Sequence, residues 1–365
     1  MTGFVKRPGA SSTSLTWKTI NWKAAEKHVW RLQMRIAKAT REGKYGKAKA
    51  LQWILSHSFY AKALAVRRVS QNKGSKTPGV DGVIWKSNKK KMEAINLLKR
   101  RGYQPQPLRR VYIPKKNGKQ RPLGIPCMID KAQQSLHLLA LEPISETVVD
   151  KNAYGFRPKR SVADAIEQCF KVLCRRTSAQ WILEGDIKAC FDEIGHKWLL
   201  NNASMDKTIL NKWLKSGYIY KGLFYRTDSG TPQGGTISPT LMLLTLSGLE
   251  QQVKQMAPKK ADKINCISYA DDFIITGASK ELLENKIKPL VKQFLQERGL
   301  ELSEEKTKIT HISEGFDFLG FNIRKYKEKL LIKPAKQNVL SFVRNIKAVI
   351  KKHPTIAAGE LIRIL

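Results

Sequence analysis

Apolar residues recur at helical spacing in the first hundred residues of the chain. The clearest run follows Asn21, and its apolar positions are Ala25, Val29, Leu32, Ile36 and Ala39. Intervals of three and four residues place these side chains on one face of a helix, which we expect to be buried. Asn21 is a favourable N-cap, and Gly43 stands where a helix would end. The pattern predicts a helix over about 21–41, a second over about 46–70, and a third before Gly102.

From Leu108 onward the apolar runs become shorter and richer in β-branched residues, which is typical of strands. Residues 108–126 read as strand, turn and strand around Asn117-Gly118, a pair that favours a tight hairpin. A strand is predicted to end at Asp186, and residues 264–277 read as two strands joined at Ala270-Asp271-Asp272. Further helices are predicted over about 130–149, 161–176, 279–298 and 336–352 and after Pro239, and further strands near 307–312 and 316–323. The order of elements predicts an α+β fold with long-range strand pairing.

Several classes of protein are disfavoured by what the 365 residues lack. The apolar runs are far shorter than the ~20 residues that a membrane span needs, so no membrane partner is expected. Residues 1–17 contain neither an apolar core nor a cleavage-like site of a secretory signal. The five cysteines are irregularly spaced and form no CxxC pair, which favours a reducing compartment and argues against a disulfide framework or a zinc site.

Positive charge is concentrated in the first third of the chain. The whole sequence holds 67 Lys and Arg against 30 Asp and Glu, a net charge of +37. Residues 1–129 contain 30 of those basic residues but only four acidic ones, so this segment alone carries +26. Neutralising phosphates releases condensed counterions, and a polyanion is therefore the expected partner of such a segment. The charge favours nucleic acid binding over a merely soluble surface.

Two acidic sites follow or interrupt apolar strands. Asp271 and Asp272 lie between the apolar segments of Ile267–Ile275, where burying both carboxylates is costly unless a cation compensates. Asp186 follows the apolar run that starts at Trp181. If these strands are neighbours, the carboxylates can hold two Mg²⁺ ions about 3.5–4 Å apart, an arrangement that activates a hydroxyl and stabilises a leaving pyrophosphate. Glu184, on the same strand face, is interpreted as a structural ion-pair residue.

A glycine-rich segment separates the two acidic sites. It reads Gly230-Thr231-Pro232-Gln233-Gly234-Gly235-Thr236-Ile237-Ser238-Pro239. Glycines allow the backbone to approach a nucleotide closely, and the Gln233 side chain can hydrogen-bond near a base or sugar. An ordinary turn before a helix would have a similar composition, so this segment gains its meaning from the acidic sites around it.

Taken together and in this order, the motifs resemble those of reverse transcriptases, most closely the group II intron-encoded maturase/reverse transcriptases. Asp186 to Phe191, Thr231 to Gly235 and Tyr269-Ala270-Asp271-Asp272 match the family's motifs A, B and C. The flanking matches are Pro78-Gly79-Val80-Asp81-Gly82, Arg110 to Pro126, Tyr154-Gly155-Phe156-Arg157-Pro158, Leu302 to Thr307 and Phe316 to Phe321. The resemblance covers about residues 20–365.

The resemblance implies a right-hand polymerase fold with an antiparallel-sheet palm, helix-rich fingers with an N-terminal extension, and a partial helical thumb. The implied divisions are a flexible basic tail over 1–20, the N-terminal extension and fingers with some palm elements over 21–180, the palm over 181–330, and the start of the thumb over 331–365. Relatives of this type usually continue into a full thumb, a DNA-binding segment and often an endonuclease, so only the first part of the thumb is expected here.

The resemblance also implies the roles of individual residues. Asp186, Asp271 and Asp272, with the Ile187 carbonyl, would bind two Mg²⁺ ions, for which Mn²⁺ would be a substitute. Phe191 would be the steric gate that favours dNTPs. The incoming triphosphate would be clamped by Lys115 and Arg121, with Gln233 nearby. Lys306 is a candidate proton donor to pyrophosphate, although an ordinary surface lysine is the simpler interpretation.

The implied partners are group II intron RNA, an RNA template/DNA primer duplex, dNTPs and target DNA, in the bacterial cytosol or nucleoid or in an organelle matrix. An RNA-binding splicing cofactor without significant polymerase activity is an alternative, as is a reverse transcriptase of a retron or CRISPR-linked system. A viral RNA-dependent RNA polymerase fits less well, because its metal-binding turn is usually Gly-Asp-Asp and Phe191 would hinder ribonucleotides. The oligomeric state does not follow from the sequence.

Overall fold

The computed structural model describes residues 16–114, 118 and 120–364. Its helices are α1 Trp22–Arg41, α2 Tyr45–His57, α3 Phe59–Gln71, α4 Asn88–Leu97, α5 Met128–Val148, α6 Val162–Leu173, α7 Cys190–Glu193, α8 His196–Asn202, α9 Lys207–Leu214, α10 Ser238–Leu246, α11 Leu249–Met256, α12 Lys280–Leu282, α13 Lys288–Gln296, α14 Lys336–Lys352 and α15 Ala358–Ile364. Its strands are β1 Leu108–Pro114, β2 Gln120–Ile125, β3 Trp181–Lys188, β4 Tyr218–Tyr220, β5 Leu223–Tyr225, β6 Asn265–Tyr269, β7 Asp272–Gly277, β8 Glu301–Leu302, β9 Lys308–His311, β10 Phe316–Phe318, β11 Phe321–Tyr326 and β12 Lys329–Pro334.

The described residues cluster into two compact units. One comprises the described residues of Met1–Thr147 and Asn202–Ser238, and the other comprises Val148–Asn201 and those of Pro239–Leu365. Each unit is built from two stretches of chain that are distant in sequence. The domain boundaries expected from the sequence stay predictions, and residues 1–15 of the expected basic tail lie outside the described residues.

The first helix has the cap and the buried face that its sequence predicts. The Asn21 side chain accepts a hydrogen bond from the Ala24 N–H, and Gly43 has φ +69° just beyond the C-terminal end. The five apolar positions named above are all buried. The second predicted helix is wrong as a single element, because Ser58 adopts an extended conformation and divides it into α2 and α3. Ser is typical of a position that precedes a helix, and here it begins a new one.

The first unit has a helical core and a small sheet. Residues from α1 to α4 pack with those of α5, and the core includes Ile36, Leu55, Val66 and Leu136. The sheet has the strand order β2-β1-β4-β5. The β1–β2 hairpin is antiparallel, as predicted, whereas β1 pairs with β4 in parallel, which local sequence pattern did not indicate.

The second unit contains the sheet that carries the acidic residues. Its strand order is β6-β7-β3-β8, and β9 also pairs with β3. The β3 and β7 strands are antiparallel, as are β6 and β7. The core of this unit packs residues of α6 against the sheet and against the β10–β11 region, and it includes Cys169, Ile182, Ile274 and Phe316. The residues of β3 and β7 are therefore fixed by a buried apolar layer.

Two predicted elements of the second unit require correction. The predicted strand at 316–323 is a hairpin, because Leu319 and Gly320 both have positive φ values, of 51° and 85°, as a tight I′ turn demands. The predicted helix at 279–298 contains a π-helical turn at Leu283–Ile287, where the Lys288 N–H donates to the Leu283 carbonyl. Pro289 lacks an N–H and interrupts the regular ladder at this point.

The last long helix, α14, matches its predicted span. It has a basic last turn at Lys351 and Lys352, and none of its residues is buried. Among the residues that the structure describes, no helix is both long enough and apolar enough to cross a membrane.

The helical core of the first unit should respond to loss of a buried side chain. Leu55 is completely buried in this core, so Leu55→Ala should lower the free energy of unfolding by about 2–5 kcal/mol, measured by urea denaturation. Leu97→Ala is the matched control, because Leu97 is 63% exposed, and it should change stability by less than about 0.5 kcal/mol. Equal effects of the two substitutions would contradict this core.

Candidate active site

Two aspartates face each other across the β3–β7 pair. In the antiparallel register Asp186 is the partner of Asp272, and Gly185 is the partner of Phe273. Directly opposed residues have side chains on the same face of a sheet with Cβ atoms about 5 Å apart. Asp271 precedes Asp272 in the turn from β6 to β7. The sequence-based expectation that Asp186 and the Asp271-Asp272 pair lie on neighbouring strands is therefore confirmed.

A strained turn positions Asp271. Ala270 has φ +59°, a left-handed conformation that non-glycine residues rarely adopt. The backbone of Gly155 packs against this turn, and a Cβ at Gly155 would lie 2.1 Å from the Ala270 nitrogen. The preceding segment is tied to β6, because the Tyr154 N–H donates to the Ser268 carbonyl and the Ser268 N–H donates to the Asn152 carbonyl. The aspartate turn is thus held by backbone contacts from a distant segment.

Gly185 provides a second close approach beside the acidic residues. A Cβ at Gly185 would lie 2.1–2.7 Å from ring atoms of Phe273, which is itself buried. The ring occupies the space over the glycine, on the strand pair that carries Asp186 and Asp272. Only glycine at this position allows the two strands to pair with that ring in place.

The three carboxylates repel one another. The pKa of Asp272 is raised to about 6, first by burial of its carboxyl and then by the negative charges of Asp271 and Asp186. The residue Asp272 as a whole is exposed to solvent, so burial of its carboxyl is incomplete and the charges of the two neighbouring carboxylates add to the raised pKa. Lys306 opposes it: its Nζ donates to Asp186 Oδ2 at 2.8 Å, and this hydrogen bond raises the pKa of Lys306.

The residues present fit a divalent metal by their chemistry. Carboxylate oxygens are the hard ligands that Mg²⁺ and similar ions prefer, and mutual repulsion of three acids is relieved by a cation. Within the described ranges, no group of three or more His, Cys, Asp or Glu side chains is arranged so that it could hold a metal ion without rearrangement. Asp186 is instead paired with the Lys306 ammonium, which shows that this edge of the sheet accepts positive charge.

Phe191 follows β3 through a left-handed residue. Ala189 has φ +43° and leads into the short helix α7, so the chain turns immediately beyond Asp186. The Phe191 ring packs edge-to-face on Phe156, with ring centroids 5.8 Å apart. Cys190 directly precedes Phe191 and is buried, and its thiol pKa is raised by burial and by the charges of Asp271 and Asp186. The same unit therefore contains the proposed gate and the aspartates.

A cavity of about 220 Å³ opens beside the acidic residues. Its lining includes Asp186, Asp272 and Lys306 on one side. Asp317, Phe318 and Leu319, from the end of β10, also line it. The strand pair thus presents its carboxylates to a space that can accept part of a ligand.

Two other predicted residues of this unit have structural partners. Ile187 pairs with Leu302 in the β3–β8 ladder, and the metal-binding role of its carbonyl stays a prediction. The Glu184 carboxylate accepts a hydrogen bond from the Thr310 hydroxyl at 2.6 Å. The expected ion pair is therefore replaced by a hydrogen bond, although the charge of Lys308 does lower the pKa that burial raises.

The remaining predicted residues belong to the first unit. Arg121 lies exposed on β2, and the Gly124 N–H donates to the Gln233 carbonyl at 2.8 Å. Gly234 has φ +116°, and a Cβ there would lie 2.8 Å from the Gly124 carbonyl oxygen, so the glycine-rich segment packs closely on β2. Lys115 lies outside the described residues. The nucleotide-binding roles of Lys115, Arg121 and Gln233 stay predictions.

Sequence reasoning did not single out the residues that support the turn. Gly155 and Phe156 stood out only as part of a motif, yet they contact Ala270 and Phe191 respectively. The Arg157 guanidinium donates to the carbonyls of Asp150 and Ala153 and so fixes the same segment. Gly155 and Arg157, which lie in an otherwise irregular stretch, were the features of the sequence that indicated this supporting role.

Two family models match the chain. One, described as reverse transcriptase (RNA-dependent DNA polymerase), matches residues 113–323 and therefore includes all three aspartates. The other, described as the N-terminal domain of reverse transcriptase, matches residues 17–98.

Two curated proteins illustrate the similarity in sequence. Protein YkfC of Escherichia coli (strain K12) is 35% identical, over 72% of this chain and 79% of its own length. The group II intron-encoded protein LtrA of Lactococcus lactis subsp. cremoris is 33% identical, over 72% of this chain and 54% of its own length. The chain thus spans about half the length of LtrA.

A solved structure shares the fold. The apo telomerase of Candida tropicalis has a TM-score of 0.50 and 15% identity, covering 66% of this chain and 50% of that one. At this identity the likeness concerns the fold alone, and it confirms the right-hand polymerase fold class predicted from the sequence.

The close contact at the aspartate turn makes Gly155→Ala a sharp test of the site. The added methyl group would collide with the Ala270 backbone, so we expect the free energy of unfolding to fall by about 1–3 kcal/mol in urea denaturation. Gly46→Ala in the first turn of helix α2 is the control, because outside its own stretch of helix no atom lies within 4 Å of the position of the new methyl group, and it should leave stability unchanged or raise it by up to about 1 kcal/mol. A neutral Gly155→Ala would refute the packing described for the turn.

Proposed function

The chain belongs to the reverse transcriptase (RNA-dependent DNA polymerase) family, and from that premise we propose that it copies the RNA of a group II intron into DNA. The observation that carries the proposal is the position of Asp186 directly opposite Asp272, with Asp271 in the adjoining turn. Three carboxylates at one sheet edge are what nucleotidyl transfer assisted by two metal ions needs. Homology to group II intron-encoded proteins supports the choice of RNA.

The family depends on divalent metal ions, and we propose Mg²⁺, with Mn²⁺ as a substitute. Asp186, Asp271 and Asp272 would hold the ions with the Ile187 carbonyl. Bound there, the ions would activate the 3′-hydroxyl of the primer and stabilise the leaving pyrophosphate. The contribution of the chain is to hold the carboxylates facing the same space, through the pairing of β3 with β7.

Lys306 is proposed to deliver the proton that pyrophosphate takes up. Its amine is protonated at neutral pH and lies within hydrogen-bonding distance of Asp186, so the proton to be delivered is beside the acidic residues. A cation that binds Asp186 would compete with this hydrogen bond, which would leave the ammonium free to reorient. The side chain is largely exposed, so it has the room to do so.

The other proposed roles concern the incoming nucleotide. Phe191, held against Phe156, would crowd a ribose 2′-hydroxyl and so select dNTPs. Lys115 and Arg121 would neutralise the triphosphate, and Gln233 would contact the nucleotide from the glycine-rich segment. The packing of that segment on β2 supports the placement of Arg121 and Gln233 in one site.

The partners proposed are intron RNA, an RNA template/DNA primer duplex, dNTPs and target DNA. The charge of +26 on residues 1–129 supports phosphate binding by the first unit. A maturase role, in which the protein binds intron RNA and assists its splicing, is proposed on the same charge and on the relatives. We place these activities in the bacterial cytosol or nucleoid, or in an organelle matrix.

A second candidate function is RNA binding in splicing without significant DNA synthesis. The excess of basic residues in the first unit favours it, because RNA binding alone would use that charge. The paired aspartates favour retained chemistry, since a protein that only binds RNA gains nothing from opposing Asp186 to Asp272.

Asp271→Ala separates the two candidates. Loss of a metal-binding carboxylate should abolish primer extension on an RNA template, whereas RNA affinity should stay within about twofold because the charge of the first unit is unchanged. Asp228→Ala, at an exposed loop position, is the control and should extend primers normally. Residual synthesis by Asp271→Ala within tenfold of the wild type would defeat the metal-ligand assignment.

Phe191→Ala tests the gate. Removing the ring should admit ribonucleotides, so the ratio of dNTP to rNTP incorporation in primer extension should fall by at least about tenfold. Phe170→Ala, which removes an exposed ring from α6, should leave the ratio unchanged. If both variants keep the selectivity of the wild type, the discrimination arises elsewhere.

A further inference from the structure

One face of the first unit's sheet carries a row of tyrosines that the proposed mechanism does not use. In the parallel β1–β4 register Leu108 pairs with Tyr218, and in the antiparallel β4–β5 register Tyr218 pairs with Tyr225 and Tyr220 with Leu223. Because side chains alternate between faces along a strand, Arg110 and Tyr112, which follow Leu108 at intervals of two, share the face of these β4 and β5 residues. We call this the aromatic face, and it consists of Arg110, Tyr112, Tyr218, Tyr220, Leu223 and Tyr225.

The rings of the aromatic face contact one another. Tyr112 and Tyr220 pack edge-to-face with centroids 5.1 Å apart, and Tyr218 and Tyr225 are stacked at 5.1 Å with only 11° between their planes. The Arg110 guanidinium lies over the Tyr218 ring, 3.9 Å from its centroid. The contacts hold the rings in fixed orientations, so little side-chain entropy remains to be lost on binding a ligand.

The aromatic face is accessible. Tyr112 is 41% exposed, Tyr225 is 39% exposed and Leu223 is 63% exposed. Exposed aromatic and apolar side chains grouped on one sheet face are typical of a binding surface rather than of an ordinary solvated one. Their orientation by mutual packing distinguishes them from scattered surface rings.

This face lies opposite the one that carries Arg121, a residue of the proposed triphosphate clamp. Arg121 pairs with Ile113 in the β1–β2 hairpin, so its side chain shares a face with Ile113 and not with the neighbouring Tyr112. Arg109, on the Arg121 side, is tied to the Pro78 carbonyl by a hydrogen bond at 3.0 Å. The tyrosines therefore remain unassigned after the nucleotide-binding residues have been placed.

The charge around the tyrosines favours a polyanion. No Asp or Glu occurs between Ala94 and Ile129, and the turn of the β4–β5 hairpin adds Lys221. The Lys221 amine lies 5.6 Å from the Tyr220 ring centroid, at the same face. Aromatic rings that stack on bases, combined with cations that meet phosphates, are the means by which proteins bind single-stranded nucleic acid.

We propose that the aromatic face binds single-stranded RNA, with unpaired bases stacked on Tyr112, Tyr220 and Tyr225 and with Arg110 and Lys221 close to the backbone. Stacking on tyrosine is largely independent of sequence, because every base has an aromatic face. The choice of RNA over DNA rests on the proposed function, whereas the stacking geometry does not. The surface would hold an unpaired stretch of RNA on the first unit.

The test measures the affinity of the full chain for a labelled uridine RNA of about twelve nucleotides, by fluorescence anisotropy. Tyr112→Ala and Tyr225→Ala should each weaken binding by about tenfold, and Tyr112→Phe and Tyr225→Phe should stay within about twofold because the rings remain. Phe170→Ala, which removes an exposed ring from the second unit, should also stay within about twofold. Thermal melting of each variant establishes that it is folded.

A second measurement uses only the wild-type chain and so does not depend on how the variants fold. An RNA of the same length containing 5-iodouridine is photocrosslinked, and the attachment sites are mapped by mass spectrometry. Crosslinks at Tyr112, Tyr220 or Tyr225 support the proposal. Their absence, with crosslinks only elsewhere, overturns it, as do folded alanine variants that bind RNA within twofold of the wild type.

Two further arms identify other occupants and separate this proposal from the polymerase assignment. A single-stranded DNA of the matching sequence is compared with the RNA. If the DNA binds tenfold tighter than the RNA, and the alanine substitutions of the tyrosines weaken DNA binding but not RNA binding, the RNA assignment is overturned. If Tyr112→Ala converts a dimer to a monomer in sedimentation without changing RNA affinity, a second copy covers the face and the proposal also fails. Asp271→Ala should retain the dependence on the tyrosines, so a failed polymerase assignment would leave this result intact.

Discussion

The proposed chemistry of the second unit depends on the repulsion among three carboxylates at the end of the β3–β7 pair. Asp186 and Asp272 are opposed in register and Asp271 is next to them. Burial of its carboxyl and the charges of the other two raise the pKa of Asp272 to about 6. Nearby positive charge relieves this repulsion. In the structure the Lys306 ammonium supplies some of that charge through Asp186. In the proposed reaction divalent ions supply more, which turns an electrostatic cost into a means of binding metal and phosphate.

Close backbone packing keeps the carboxylates in place. Gly185 makes room for the Phe273 ring within the strand pair, and Gly155 lies against the Ala270 backbone at the turn. The positive φ of Ala270 is maintained because the segment around Ala153 pairs with Ser268 of β6 and fixes the backbone that leads into the turn. The precision of the site therefore depends on residues without reactive groups, and substituting them should act on stability and geometry together.

The sequence was sufficient for elements that carry their own local signals. Helix α1 has its N-cap and its apolar stripe, and the apolar runs before the aspartates indicated β3 and β6, although β3 continues two residues beyond Asp186. The break at Ser58 was missed because apolar residues continue at helical spacing on both sides of it, and the turn at Leu319 was missed because Leu rarely takes a positive φ. The parallel β1–β4 pairing was also missed, since it joins segments about a hundred residues apart. Partners fixed by tertiary contact, such as the Lys306–Asp186 pair, leave no periodic pattern to detect.

The most direct test of the metal account is to count bound ions. Mn²⁺ uptake by the full chain is measured by electron paramagnetic resonance in the presence of an RNA template, a DNA primer ending in a dideoxynucleotide and the matching dNTP, so that no bond can form. We expect two ions per chain for the wild type and a loss of at least one for Asp186→Asn, because that substitution removes the charge of one of the three carboxylates that would hold the ions. Uptake that is unchanged by Asp186→Asn would contradict the assignment of the opposed aspartates as the metal site.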